Sequence, residues 1–456
     1  MAAASYDCIV IGSGPGGYVA AIRAAQLGRR TAVIERDKVG GRCLNYACIP
    51  AKSVLRTADV LDEVHDAEQY GLRVGGVELD YPTVQSRREK VVATLTSGVA
   101  TLFKKGGIEL ITGDASLTAG GDVSVDGEVL SAGTVILATG SVGRAIPGVS
   151  FGGRIIGTED AWTLPALPAR LAVVGAGASG AEIASGFARL GSEVLLLEAL
   201  DRVLPSEDGD ISRLVDRGFR RQGVAVQTGT SVAEVEETSS GVSLSHGSER
   251  VEVEHLVIAT GRVADVDGLG LSDAGVELGE GGLVKVDGAQ RTTREGIYAI
   301  GDLVAGPALA HKASDEGIIA VEDAAGLETH PLVHVDIPRA TFCTPNVGSF
   351  GLTEEEAREA GYDVVVGKVP YGAVGGGIVY GDRTGLVKLV GESRYGELLG
   401  GHIVGSRATE LIQELVNVRA LEGGFAEVGR IVHGHPTLSE AVMEAGRATD
   451  GWLIHG

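Results

Sequence analysis

The sequence predicts an α/β protein with two Rossmann-like dinucleotide-binding domains and a separate C-terminal α+β domain. Three observations carry that expectation. A short apolar strand, a glycine-rich turn, an Ala-rich helix and a second strand closed by an acid occupy Tyr6–Glu35. The same series returns at Leu171–Glu198, and the first glycine and terminal acid are 23 positions apart both times. From about Leu332 the texture changes to alternating strands interleaved with short helices. The domains are expected at 1–149, 150–264, 265–333 and 334–456.

In the first unit, Tyr6–Ile11 reads as a buried parallel strand. Gly12-Ser13-Gly14-Pro15-Gly16-Gly17 follows, then a helix to about Leu27 and a strand, Thr31–Ile34, ending at Glu35. A lone glycine signature is weak, but here strand, helix and acid stand where a nucleotide site needs them. Gly12 turns the chain, Gly14 lets a pyrophosphate approach the helix N-terminus, and Gly17 permits close helix–strand packing. Glu35 is the ribose acceptor. A glycine-rich loop without a ligand is the competing reading.

Next comes Gly40-Gly41-Arg42-Cys43-Leu44-Asn45-Tyr46-Ala47-Cys48-Ile49-Pro50-Ala51-Lys52. Cysteines five apart can meet at an irregular helix entry. A helix N-terminus lowers thiol pKa and favours exchange chemistry, and Lys52 adds a cation on the face of Cys48. Two buried structural thiols would fit the spacing as well. A zinc site lacks its second ligand pair, so no metal is expected.

An amphipathic helix is expected from Lys52 toward His65, and a second over Tyr81–Lys105. Gly113–Val129 alternates like hairpins, and Val135–Ala138 is a strand ending in Thr139-Gly140-Ser141. Pro147, Gly148 and nearby glycines suggest a boundary.

Beyond it, Leu171–Val174 is a strand, Gly175-Ala176-Gly177-Ala178-Ser179-Gly180 the turn, Ala181–Leu190 the helix, and Glu193–Leu197 the strand before Glu198. A carboxylate there bonds a free 2′-hydroxyl and repels a 2′-phosphate, favouring NAD over NADP. Arg202, the nearest cation, reads as a surface residue beside Asp201. Leu256–Ile258 and Ala259-Thr260-Gly261-Arg262 close this domain. Ile297–Ile300 is again a strand, ending in Gly301-Asp302, where the acid can hold a polar cofactor group or simply make a turn.

Helices are expected at Thr353–Ala360 and Thr409–Leu421, with a strand at Leu386–Val390. The chain closes with His433-Gly434-His435-Pro436-Thr437-Leu438-Ser439-Glu440-Ala441. Pro436 or Thr437 is expected to start the last helix, with His435 at its entrance and Glu440 inside, able to orient an imidazole. A satisfied structural histidine is the alternative.

Charge and composition narrow the function classes. The net charge of −22 argues against nucleic acid and anionic membranes as partners. Four cysteines, Cys8, Cys43, Cys48 and Cys343, are too few for a secreted disulfide framework. The N-terminus leads straight into a strand without a basic leader, and no apolar run is long enough to span a bilayer. A soluble cytoplasmic protein is expected.

With these pieces read, the chain resembles the flavoprotein disulfide reductases, most closely their dihydrolipoamide dehydrogenase branch. The anchors are Gly12–Gly17, Cys43–Lys52, Gly175–Glu182, Ala299–Asp302, Leu309–Ala313 and His435–Glu440. The resemblance implies FAD in the first site and NAD in the second, with 265–333 completing the FAD domain and 334–456 forming the dimerisation domain. It places Gly12, Gly14, Gly17, Glu35, Arg36, Gly41, Arg42 and Lys52 at the flavin nucleotide. Ala115, Thr139, Gly140, Ser141, Asp302 and Ala310 join them from later in the chain. For NAD it implies Gly175, Gly177, Ser179, Gly180, Glu182, Glu198, Val232 and Gly261.

By the same resemblance Cys48 is the flavin-side thiolate, Cys43 exchanges with substrate, and Lys52 pairs with Glu182. His435 is the base, oriented by Glu440 and supplied to the other subunit of a homodimer. The implied reaction is oxidation of protein-bound dihydrolipoamide, with electrons passing through Cys43–Cys48 and FAD to NAD⁺. Lipoyl domains of a 2-oxoacid dehydrogenase or glycine cleavage complex are the implied partners. Arg42, Tyr46-Ala47 and Ala51 stand where the family usually has Thr, Val-Gly and Ser. Asn346 replaces a common Glu, and Gly375–Ile378 a common Asn-containing stretch. The rival is a related NAD(P)H-dependent reductase of glutathione, a mycothiol-type disulfide or another small thiol. A flavin-binding scaffold without turnover would not need Cys43, Cys48 and His435 together.

Overall fold

The computed structural model describes residues 5–456, so the Met1–Ala4 start of the expected first domain lies outside it. The described chain forms two compact units. One comprises the residues up to Val54, Pro82–Arg144 and Gly261–His334; the other comprises Leu55–Tyr81, Ala145–Thr260 and Val335–Gly456.

In the first unit, strand β1 (Ser5–Ile11), helix α1 (Pro15–Gln26) and strand β2 (Thr31–Glu35) follow the expected order. A seven-stranded sheet runs Glu109–Thr112, β2, β1, Glu128–Leu137, Val123–Val125, Ala115–Leu117, and Ile297–Ala299 pairs with Glu128–Leu137. The central strands are parallel, whereas the three between Ala115 and Leu137 form the expected antiparallel hairpins. Successive side chains of β1 point to opposite faces. Cys8 and Val10 therefore pack with Ala20, Ala21 and Ala24 of α1, while Ile9 and Ile11 face Leu269, Leu271 and Val284. Small residues let the helix Ala310–Ala324 press on α1: a Cβ at Gly317 would come within 2.7 Å of the Gly16 carbonyl oxygen.

The cysteine stretch does not make one helix. Helix α2 (Gly41–Asn45) ends before Tyr46, and helix α3 (Cys48–His65) starts afresh. The helix expected to run on from Lys52 toward His65 is the body of α3.

The second unit repeats the pattern with strand β3 (Arg170–Val174), helix α4 (Ala178–Leu190) and strand β4 (Glu193–Leu197). Its parallel sheet runs Ala225–Gln227, β4, β3, His255–Ile258, Ile155–Gly157. A five-stranded antiparallel sheet from Arg339 to Val404 forms the C-terminal part, in the order Arg339–Thr341, Val347–Gly351, Leu398–Val404, Leu386–Glu392, Val364–Pro370. The helices Ala408–Ala420 and α5 (Ser439–Thr449) cover it. The expected helix near Thr353 is Glu354–Glu359, with Thr353 and Glu356 forming a reciprocal cap.

This unit also buries a charge cluster. The Lys388 ammonium, 3 % exposed, lies 2.8 Å from each of Asp208, Asp210 and Glu354. Lys368 joins from the rim, 2.8 Å from Asp210 and 3.7 Å from Glu354, so the charges of the cluster offset one another at a site that would be costly for any of them alone.

Candidate active site

The two glycine turns agree atom by atom. Gly12 and Gly175 have φ of 100° and 99°, a region glycine adopts freely. A Cβ at either would lie 2.4 Å from the Ala138 oxygen or 2.5 Å from the Ala259 oxygen. One at Gly17 would meet the Gly12 oxygen at 2.0 Å, and one at Gly180 the Gly175 oxygen at 1.8 Å. Nothing stands within 4 Å of the Cβ positions of Gly14 and Gly177, so each helix N-terminus is open to a phosphate.

Each terminal acid braces its turn. Glu35 Oε2 accepts Ser13 N–H at 2.9 Å and Ser13 Oγ–H at 2.6 Å, and Oε1 accepts Asp37 N–H at 2.9 Å. Glu198 Oε2 accepts Ala176 N–H at 2.6 Å and Oε1 accepts Leu200 N–H at 2.9 Å. A carboxylate offers about four lone-pair positions, which leaves capacity for ribose hydroxyls at both.

Within the first unit these parts border a cavity of about 470 Å³. Gly12, Gly14, Glu35, Arg36, Gly41, Arg42, Cys43 and Cys48 line it, with Ala115, Thr139, Gly140, Ser141, Asp302 and Ala310. Gly17 packs behind the turn, and Lys52 is not on the wall but acts on Cys43 through its charge. Asp302 accepts a hydrogen bond from Ser141 Oγ, which also receives one from Arg262 Nε at 2.7 Å. The donor set suits FAD: a ribose-accepting acid, an open helix N-terminus, and Arg36, Lys38 and Arg42 along the wall for a pyrophosphate.

Sequence reasoning missed Ser13, Asp37, Lys38, Tyr46 and Asp265 on this wall. Asp265 pairs with Arg36, its carbonyl oxygen accepts Thr139 Oγ1–H at 2.7 Å, and its N–H donates to the Gly140 oxygen at 2.9 Å. No local motif marks it; only the return of the chain to this unit brings it there.

Cys43 is the third residue of α2 and Cys48 the first of α3; both are free thiols. A hydrogen bond with Cys48 and burial push the Cys43 thiol well above its ordinary value, and charge on Cys48 adds to this, against the opposing fields of Lys52 and Arg42. The expected lowering by a helix N-terminus is therefore overturned at Cys43. A five-residue helix has little macrodipole, and a second thiol lies in contact.

Far along the chain, the last helix begins at Ser439 rather than at Pro436 or Thr437, so His435 stands on a loop ahead of it. His435 Nδ1 lies 2.9 Å from Glu440 Oε1, and Glu440 Oε2 accepts Thr437 N–H at 2.9 Å. Burial works to raise Glu440, but these two hydrogen bonds prevail and hold it below the ordinary value. The His435 side chain is 75 % exposed, unlike a structural histidine. That description fits His433, 5 % exposed and bonded to Glu414 and to the Ile431 oxygen at 2.8 Å. The glycine run of the expected Gly375–Ile378 departure lies against this loop: a Cβ at Gly376 would be 2.3 Å from the Thr437 carbonyl. The Asn346 side chain donates to the Cys343 oxygen at 2.6 Å.

Of the second-site candidates, Ser179 is exposed in the first turn of α4 and Gly177 caps that helix. Glu182 is buried and accepts Phe342 N–H at 2.9 Å. Val232 packs against the core that includes Val174 and Leu197, and Gly261 falls in the first unit beside Arg144.

Comparison with known proteins accords with this geometry. Residues 6–317 match the pyridine nucleotide-disulphide oxidoreductase family and residues 337–446 its dimerisation domain. Dihydrolipoyl dehydrogenases of Bacillus subtilis and Zymomonas mobilis are 39 % and 41 % identical to the chain, each alignment covering 99 % of it and 100 % and 99 % of the relative. The crystal structure of LpdA from Mycobacterium tuberculosis superimposes with a TM-score of 0.90 at 28 % identity, over 96 % of this chain and 99 % of that one. The chain thus belongs to the pyridine nucleotide-disulphide oxidoreductases, the family its glycine turns and cysteine pair led us to expect.

Proposed function

We propose that the protein is a dihydrolipoyl dehydrogenase that oxidises protein-bound dihydrolipoamide and passes the electrons to NAD⁺. The observation that carries this reading is the pair of hydrogen-bonded thiols on the wall of a cavity whose other end holds a ribose-accepting acid. Bound in that cavity, FAD supplies the two-electron relay from the thiol pair to NAD⁺.

The chain's own residues handle protons and sulfur. The Nδ1 of His435 is engaged by Glu440, so its other nitrogen takes the proton of a dihydrolipoyl thiol. The resulting thiolate attacks Cys43 Sγ; a new S–S bond forms, the Cys43–Cys48 bond breaks, and Cys48 leaves as the thiolate. The second substrate thiol releases its proton to solvent and, as thiolate, attacks the substrate sulfur bonded to Cys43, closes lipoamide and releases Cys43, which takes up the first thiol's proton from His435.

In this reading Gly12 through Ala310 of the cavity hold FAD, and the turn at Gly175–Gly180 with Glu198 holds NAD, with Glu182, Val232 and Gly261 around it. The segments 1–149 and 265–333 serve FAD, 150–264 serves NAD, and 334–456 pairs two copies. The dimerisation-domain match supports a homodimer, and in this reading His435 serves the other subunit's cysteines. Lipoyl domains of a 2-oxoacid dehydrogenase or glycine cleavage complex are the partners, in the cytoplasm. No helix among the described residues is long and apolar enough to cross a membrane.

The test is a parallel assay with dihydrolipoamide and NAD⁺, glutathione disulfide and NADPH, and a mycothiol-type disulfide with either nucleotide. Dihydrolipoamide with NAD⁺ should have the highest kcat/KM; a higher value for another pair overturns the substrate assignment.

A further inference from the structure

Helix α2 is only five residues long, too short to hold its own shape. Its position is imposed from outside. At its start, Gly40 N–H donates to Ser13 Oγ at 3.1 Å, and Ser13 Oγ–H donates to Glu35 Oε2 at 2.6 Å. At its end, the Tyr46 hydroxyl donates to Asp37 Oδ2 at 2.6 Å, and Asp37 N–H returns to Glu35 Oε1 at 2.9 Å. Lys38 Nζ stands 4.9 Å from the centre of the Tyr46 ring and holds that ring in place. The two oxygens of Glu35 are thus linked to the two ends of the helix that carries Cys43.

We propose that Ser13 and Tyr46 are positioning residues for Cys43, closing a hydrogen-bonded circuit that ties Glu35 to both ends of α2. The proposal rests on the reading of Cys43 as the sulfur that exchanges with substrate. Ser13 is fully buried, so its hydroxyl is a placed group rather than a surface accident. The second turn supplies an internal contrast. Ala176 occupies the position of Ser13 there, makes the N–H bond to Glu198 and has no hydroxyl to extend it. No cysteine follows Glu198 until Cys343, so that turn has no reactive helix to tether. In the first site, an FAD ribose held at Glu35 bears on the same carboxylate that fixes α2.

The test uses holoenzyme with Ser13→Ala, Tyr46→Phe, and both together. Tyr46→Phe keeps the ring beneath Lys38 and loses only the hydroxyl. After two-electron reduction, alkylation of Cys43 and Cys48 by iodoacetamide is followed separately by peptide mass mapping. Each single change should speed Cys43 alkylation and lower kcat for dihydrolipoamide by about fivefold, the worth of one hydrogen bond. Cys48 alkylation should not change, and all rates are compared at equal FAD occupancy, read from the flavin absorbance. Because either change opens the same circuit, the double variant should be no worse than the poorer single one. Additive losses or unchanged Cys43 rates overturn the positioning role. Full dihydrolipoamide turnover by Cys43→Ser instead overturns the reading beneath it.

Discussion

The Glu198 carboxylate accepts the backbone N–H of Ala176 at 2.6 Å, across 22 positions of chain and at the opening of the second glycine turn. Glu35 meets Ser13 in the same way at 2.9 Å in the first turn. An acid so placed braces the glycine turn while its remaining lone pairs stay available to a ligand. Binding and bracing are two uses of one group.

Glu198→Arg should therefore weaken NAD binding, losing the ribose acceptor and the brace on Ala176 N–H of the turn. Loss of the acceptor costs about 1–3 kcal/mol, so the dissociation constant should rise roughly 5- to 150-fold. Titration of the holoenzyme with NAD measures it. An unchanged constant would mean that Glu198 does not reach the nucleotide.

The thiol pair should announce itself spectroscopically. Two-electron reduction is expected to give a long-wavelength band from contact between the Cys48 thiolate and the flavin. Cys48→Ser should abolish the band, and Cys43→Ser should preserve or mimic it. A band that survives Cys48→Ser reverses the assignment of the two sulfurs.

His435→Gln should cost roughly 10²–10⁴ in kcat, the usual loss on removing a general base. If His435 serves the other subunit, mixing Cys43→Ser chains with His435→Gln chains after dissociation restores activity in proportion to the mixed dimer. One site of that dimer carries both defects and the other none. A verified mixed dimer without recovery would place the base in its own chain's site.

Acid should loosen the second unit through Lys388. Against the cost of burial, His402 and then Lys388 hold Asp208 below the ordinary carboxylate value, Lys368 and then Lys388 do the same for Asp210, and a hydrogen bond from Lys388 lowers Glu354. Carboxyls depressed in the folded state stabilise it above their unfolded values, near pH 4, and that contribution disappears as pH falls through the folded values. Thermal denaturation should show Tm falling below about pH 4. Lys388→Met strips buried Asp208 of its ammonium partner, while Lys368 still stands 2.8 Å from Asp210, and should cost about 3–5 kcal/mol at neutral pH. It should also flatten the acid limb, since part of what depresses these carboxyls is then gone.

Much of this protein was legible along the chain because its signals are local. A glycine that must turn, a glycine that must touch a strand, and an acid at a strand end lie within 23 residues of one another, twice. The hairpins from Ala115 to Leu137 and the helices near Thr353 and Ala408 follow from alternation, capping and apolar spacing in the same way. Tertiary structure decided what depends on distant partners. The break between Asn45 and Cys48 arises where Tyr46 is drawn to Asp37, and the high proton affinity of Cys43 comes from contact with Cys48 across that break. Asp265 reaches Arg36 and Thr139 only because the chain returns to its first sheet after more than a hundred residues elsewhere. His435 was singled out from His433 by the Pro436, Thr437 and Glu440 that follow it, and the structure sets the two in different surroundings. Glu414 and a carbonyl oxygen enclose His433, while His435 is exposed with Nδ1 held by Glu440.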